Sequence, residues 1–342
     1  MNDAIKAITN NDFISAIFLT IVLIFLGFVL RKKHIFTESS KKTITAILMK
    51  ISLPALAFSG FLIDFNTELL AQSGIIVLIT VLAYIICLLI GQIIFIKYPK
   101  EKRNIYSILI SIGQVTLFGL PLVKALYPES GLLVGNIMSI PFRVFVYIYS
   151  FIIISGVQLS KATFKKTLKD VFLNPIIIAM LLSIIIWVTQ PIAPKVMIND
   201  VSYSLFRVDK TLPWLGKALT TVASLTVPLA LVLIGVTLGE VEVKKAFTNK
   251  LAWIIAIFRS IISPIVMSII VLLLALIPGV NLAHEMIASM LICFASPVSA
   301  VVNTFCINYN KEDIISSDSC FLSTLLLIVY LPIMIILIEL IF

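Results

Sequence analysis

Most charged residues in this chain fall in short gaps between long apolar runs, and that alternation limits what it can fold into. A helix needs about 20 mostly apolar residues to cross a bilayer. Ten runs of that order stand near 13–30, 43–63, 73–96, 104–125, 131–156, 171–190, 212–238, 251–277, 286–307 and 314–340. With 60% hydrophobic and 13% charged residues and a mean hydropathy of +1.14, a soluble core cannot absorb so much apolar sequence. The expectation is an all-α membrane protein with ten transmembrane helices, numbered here as spans 1–10.

The net charge of +9 arises in the gaps rather than in any nucleic-acid-binding patch. Seventeen Lys and Arg fall in alternate gaps, starting with Arg31, Lys32, Lys33, Lys41 and Lys42. The opposite side carries six: Lys6, Lys124, Lys195, Arg207, Lys210 and Lys217. Basic loops stay in the cytoplasm, so the N- and C-termini are both expected outside, with the lipid bilayer as partner and no nucleic acid. Asp3 and Asp12 precede span 1, and no small-residue cleavage site follows it, so it reads as a span rather than a cleaved leader. Residues 161–170 read as a solvated basic loop, with a short amphipathic helix lying on anionic lipid as the lesser reading. Cys87, Cys293, Cys306 and Cys320 lie in or at the ends of runs, where thiols serve as small apolar residues, with no disulfide or metal spacing.

Spans 4 and 9 carry helix-breakers among small and polar residues: Gly113-Gln114-Val115-Thr116-Leu117-Phe118-Gly119-Leu120-Pro121 and Cys293-Phe294-Ala295-Ser296-Pro297-Val298-Ser299-Ala300. A broken helix survives at membrane depth only where protein or a watery cavity satisfies its freed backbone groups. A further match joins Ser52-Leu53-Pro54-Ala55-Leu56-Ala57 in span 2 to Thr226-Val227-Pro228-Leu229-Ala230-Leu231 in span 7. Pro54 to Pro121 is 67 positions and Pro228 to Pro297 is 69. Spans 2 and 4 thus correspond to spans 7 and 9. The division is a first five-helix repeat, 1–156, a cytoplasmic linker, 157–170, and a second repeat, 171–342. An odd number of spans per half makes the repeats inverted, with helices 4 and 9 broken where they cross, as in many secondary transporters.

Proline suits the first turn of a helix, so Pro121 and Pro297 are expected to open new half-helices whose positive N-terminal ends meet in an anion site. On span 5, Asn136, Ser139, Arg143, Tyr147 and Ser150 recur at helical spacing as one polar stripe. Arg143 sits at mid-span, where a charge needs a partner, and no acidic residue lies at comparable depth. Either a substrate carboxylate supplies that partner through paired hydrogen bonds, or carbonyls of the broken helices do. Gln114 shares a face of span 4 with Ser107 and Ser111, and Ser296, Ser299 and Asn303 share a face of span 9. These side chains either hold a substrate or cation, or bind helices together. Lys50 and Arg259 read as snorkelling toward the cytoplasmic side, with lining of an inner vestibule as the lesser role for Arg259. Lys124 is placed at the outer mouth and Glu339 at the interface.

No metal cluster, phosphate-binding glycine loop or nucleotide motif is present, and His34 and His284 fall on opposite sides of the membrane. Cofactors, metals, enzymatic activity and ATP-driven pumping are therefore not expected. What remains is a secondary transporter of a small organic anion, with an anion-conducting pore or a membrane sensor as the alternative. Coupling to sodium, to a proton or to voltage alone stays open, and Asp318 is the weak candidate for a proton site.

Six short pieces, in order along nearly the whole chain, resemble the auxin efflux carrier family. They are Leu53-Pro54-Ala55-Leu56; Gly119-Leu120-Pro121; Asn174-Pro175-Ile176-Ile177-Ile178-Ala179; Thr226-Val227-Pro228-Leu229-Ala230-Leu231 with Gly235; Ser296-Pro297; and Leu322-Ser323-Thr324-Leu325 with Leu331-Pro332. The chain resembles the short bacterial-type members, lacking the long cytoplasmic loop of some plant ones. The resemblance implies a fold similar to the bile acid:sodium symporters, with spans 1, 2, 6 and 7 as a scaffold and spans 3–5 and 8–10 as a mobile transport unit. It also implies an elevator-like motion, a homodimer formed through the scaffold, and a substrate flanked by Gly119, Leu120, Pro121, Ser296 and Pro297. Plant members carry charged residues in the third helix, where this chain offers Ser73, Thr80, Tyr84 and Gln92.

Overall fold

The computed structural model describes residues 11–156, 173–240, 243–277 and 282–341. These are mostly helical. We number the helices α1, Asn11–Lys32; α2, Glu38–Ser59; α3, Thr67–Ile94; α4, Lys100–Ser111; α5, Val115–Leu126; α6, Ser130–Ser155; and α7, Pro175–Thr189. The remainder are α8, Pro213–Glu240; α9, Lys250–Ala275; α10, His284–Phe294; α11, Ala300–Asn308; and α12, Asp313–Ile341. By length and composition 6 of the helices, α2, α3, α6, α8, α9 and α12, can each cross a membrane, which makes this an all-α membrane protein. The expected linker 157–170, with its basic residues Lys161, Lys165, Lys166 and Lys169, and Lys6 lie outside the described residues.

Local chemistry sets several helix ends. The side chains of Thr37, Asn66, Asn174 and Asn249 accept backbone N–H bonds from Ser40, Glu68, Ile176 and Ala252, each satisfying a donor that the first turn leaves free. Pro175 follows its cap at the first helical position, where it sacrifices no hydrogen bond. Gly156 ends α6 at φ 66°, which a residue without Cβ adopts at least strain.

One element departs from an all-helical expectation. Lys195–Ile198 and Val201–Ser204 pair as an antiparallel hairpin, β1 and β2. Its two-residue turn, Asn199-Asp200, has φ of 49° and 64°, the twist such hairpins prefer and asparagine and aspartate tolerate.

Packing divides the helices by neighbour. Helix α1 lies against α8, and α2 against α7 and α8. The α1–α8 approach is backbone to backbone, since a Cβ on Gly27 would stand 2.0 Å from the Val232 carbonyl oxygen and one on Gly235 1.9 Å from that of Ile24. Small residues permit such contact where lipid gives no apolar drive for helices to associate. At the end of α7, Gln190 accepts from Phe65 N–H at 3.0 Å and donates to the Ile63 carbonyl at 2.8 Å, tying α7 to the turn after α2. The other helices pack together around α4, α5, α10 and α11. Glu312, between α11 and α12, meets Lys102 at 2.9 Å and Tyr106 at 2.6 Å on α4, and Lys311 pairs with Glu101.

Candidate functional site

Two breaks meet in the middle of this second group. Helix α4 ends at Ser111, and Ile112–Gln114 is non-helical before α5 begins. Helix α10 ends at Phe294, and 295–299 is non-helical before α11. Gly113 and Val298 then form an antiparallel bridge. Gln114 N–H donates to the Pro297 carbonyl at 2.8 Å and Ser299 N–H to that of Ile112 at 3.1 Å. The Gln114 side chain accepts the Ala300 N–H at 2.8 Å, capping α11, and Ser323 Oγ accepts the Val298 N–H at 3.0 Å. Each break thus supplies the hydrogen bonds that the other lost, as backbone buried away from water requires.

The break in the first half does not fall at Pro121. It lies at 112–114, and Gly119-Leu120-Pro121 is helical and buried, with Val115–Gly119 wound as a π-helix. Pro121 occupies the first turn of the α-helical stretch beginning at Leu120, where its missing N–H is free of cost. A Cβ on Gly119 would lie 3.1 Å from Cys293 Cα, and Leu120 packs on Gly135. These three residues are packing elements behind the crossing, whereas Pro297 sits in the unwound stretch itself.

Arg259 is the larger correction. Rather than snorkelling, it is fully buried. Its Nε donates to the Ser296 carbonyl at 3.0 Å and its Nη1 to the Ser111 carbonyl at 2.5 Å. The guanidinium carbon stands 4.9 Å over the Phe294 ring. A π-helical stretch, Phe258–Ile262, interrupts α9 around this residue, and such widened turns recur at functional sites. The carbonyls freed by both broken helices are therefore satisfied by Arg259, not by Arg143.

Arg143 is left differently. It is 3% exposed, its Nε is buried without a partner, and among the described residues it forms no hydrogen bond or ion pair. It lines a narrow cleft with Met49, Gln114, Thr116, Leu117, Phe142, Tyr147 and Val301, drawn from α2, α5, α6, α11 and the first break. In that cleft the Oγ of Thr116 is also buried without a partner, and in the second break so are those of Ser296, which lies beside Gly113, and Ser299. Two helices, α5 and α11, begin beside these groups, and helix N-termini carry partial positive charge. The arrangement joins a buried, unsatisfied guanidinium to the Thr116 hydroxyl and two positive helix ends. Chemically, it suits a small anion with hydrogen-bond acceptors.

Other expected site residues lie elsewhere. Asn136 reaches α2, with its Nδ2 3.5 Å from the Ala57 carbonyl, and a Cβ on Gly60 would collide with it. Asn303 accepts hydrogen bonds from Ser316 and Ser317 of α12. Lys124 donates to the Pro128 carbonyl at 2.8 Å, and Asp318 accepts from Asn249 at 2.8 Å. All four are engaged in helix-to-helix or local bonds. Conversely, Met49, Thr116, Leu117, Phe142 and Val301 line the cleft without having been singled out from the sequence. Thr116 alone had a readable signal, as a hydroxyl two residues after the polar Gln114.

An apolar helical assembly whose two interrupted helices complete each other around a polar cleft is the build of a membrane transporter. The model of the family described as "Membrane transport protein" matches residues 12–335, and the chain belongs to that family, the one of the auxin efflux carriers. It is a family of transporters, not enzymes. No curated protein matches the chain.

Proposed function

We propose that this multi-pass protein is a secondary transporter that carries a small organic anion, such as a carboxylate, across the cell membrane. In this reading the ten spans form two inverted five-helix repeats with both termini outside. Helices α1, α2, α7 and α8 are the scaffold, through which two copies pair. The remaining helices move as an elevator-like unit. The two-group packing of helices supports that division, and the pairing of α4 with the α11–α12 turn supports a unit that moves as one.

The observation that carries the proposal is Arg143. A guanidinium buried in the membrane without a counter-charge is strongly disfavoured. A carboxylate accepting two parallel N–H bonds removes that cost when it binds. The test is counterflow of a labelled panel of mono- and dicarboxylates in proteoliposomes, with imposed proton, sodium and voltage gradients. The parent should show saturable counterflow, and Arg143→Gln should lose it by at least tenfold while remaining monodisperse. Undiminished counterflow in that variant removes Arg143 from the site, and single-channel currents in place of saturation would make the protein a pore.

A further inference from the structure

Breaking two helices at one point creates a demand for positive charge as well as for hydrogen bonds. The C-terminal ends of α4 and α10 each present carbonyls with no helical donor, and those ends carry partial negative charge. Unwound carbonyls of this kind are a common seat for a coupling cation in membrane carriers. In this chain the seat is taken. The Arg259 guanidinium lies between the Ser111 and Ser296 carbonyls, one from each break. Ser263 Oγ donates to the neighbouring Ile110 carbonyl at 2.9 Å. Space is fitted to the side chain, because a Cβ on Gly113 would stand 2.7 Å from Arg259 Nη2. Phe294 covers one face of the guanidinium.

We propose that Arg259 is the tethered cation of the crossing: it occupies the position a dissolved monovalent cation would otherwise fill, so that the crossing needs no sodium. The residue belongs to α9, outside both broken helices, and so links a third helix to the crossing by charge. It is a positioning residue, since it faces the carbonyl side of the breaks, while the cleft lined by Arg143 opens beside the helix N-termini. The consequence for coupling rests on the carrier reading above; the cation seat itself does not.

The test therefore uses no substrate. Purified parent, Arg259→Ala, Arg259→Lys and Arg259→Gln proteins are unfolded thermally in detergent, with choline, sodium or guanidinium chloride at constant ionic strength. The parent should be indifferent to which cation is present. Arg259→Ala should melt lower, and low-millimolar guanidinium should raise its midpoint saturably, as a ligand binding only the folded state does, while choline should not. A parent stabilised by sodium over choline overturns the proposal, as does an Arg259→Ala protein that responds to neither guanidinium nor sodium. Should the alanine variant fail to accumulate, the amounts of folded Arg259→Lys and Arg259→Gln protein in membranes decide. Lysine retains the charge and should preserve most of the protein, and glutamine should not; equal losses refute a role for charge. Because nothing is transported in these measurements, a failed carboxylate assay and a failed cation assay stay distinguishable.

Discussion

Replacing Gly113 by alanine adds one methyl group at the point where the two breaks touch. A Cβ there would lie 2.6 Å from Ser296 Oγ, 2.7 Å from Arg259 Nη2 and 2.8 Å from the Ser296 carbonyl oxygen. All three distances are below what real side chains show, and the last neighbour is backbone, so a segment must shift. Overpacking of this kind costs about 1–3 kcal/mol. The shift also strains the Arg259 bond to the Ser296 carbonyl, and a hydrogen bond from a charged group contributes roughly 1.5–3 kcal/mol. The expected destabilisation is therefore about 2.5–6 kcal/mol. Gly74→Ala is the matched control, because a Cβ there meets nothing within 4 Å; in a helix it should be neutral or stabilise by roughly 0.5–1 kcal/mol. Unfolding in sodium dodecyl sulfate, followed by tryptophan fluorescence, measures both. If Gly113→Ala unfolds within about 1 kcal/mol of the control, the tight crossing described here is wrong.

Three further outcomes are expected. Gln114→Ala removes the acceptor of the Ala300 N–H and leaves a buried donor unpaired, a loss of about 1–3 kcal/mol; unchanged stability would argue against that cap. Gly235→Ala pushes a methyl group into the Ile24 carbonyl, so α1 must move away from α8 and the protein should lose roughly 1–3 kcal/mol in the same unfolding measurement. All four cysteines are buried, so a maleimide should leave the folded protein unmodified and label Cys87, Cys293, Cys306 and Cys320 only after unfolding. Rapid labelling of Cys293 in native membranes would contradict its packing against Gly119.

The apolar runs were legible because bilayer thickness imposes a length that composition reveals directly. Both interrupted helices were also legible, and Gln114, Ser296 and Ser299 lie in the two breaks, with Arg143 in the cleft that Gln114 also lines. The position of the first break was not. Pro121 attracted the assignment because proline cannot donate a hydrogen bond, yet at the start of a helical stretch that deficiency is harmless. The real interruption depends on Gly113 meeting Val298, a tertiary contact between distant segments. Arg259 was misread for a related reason. Its depth was counted along a regular helix, and neither the π-helical turn at Phe258–Ile262 nor the carbonyls awaiting it leave a mark in local sequence. The hairpin at 195–204 has a local mark, Asn199-Asp200 between β-branched residues, in a gap between two apolar runs. Asn136 and Asn303 recur at helical spacing with other polar residues, but Ser296 and Ser299 lie outside the helix that carries Asn303, and spacing does not reveal which neighbour covers a side chain.

The bridge between Gly113 and Val298 has a consequence for how the chain is made. The first interruption finds its backbone partners in residues 297–300, and a ribosome releases those long after it. Until then the newly inserted stretch at 112–114 has exposed peptide groups with no permanent mate. Insertion into the bilayer and completion of the core must therefore be separate events, with the early half waiting on the late one. A chain truncated before Ser296 should enter the membrane and then be recognised there as unfinished.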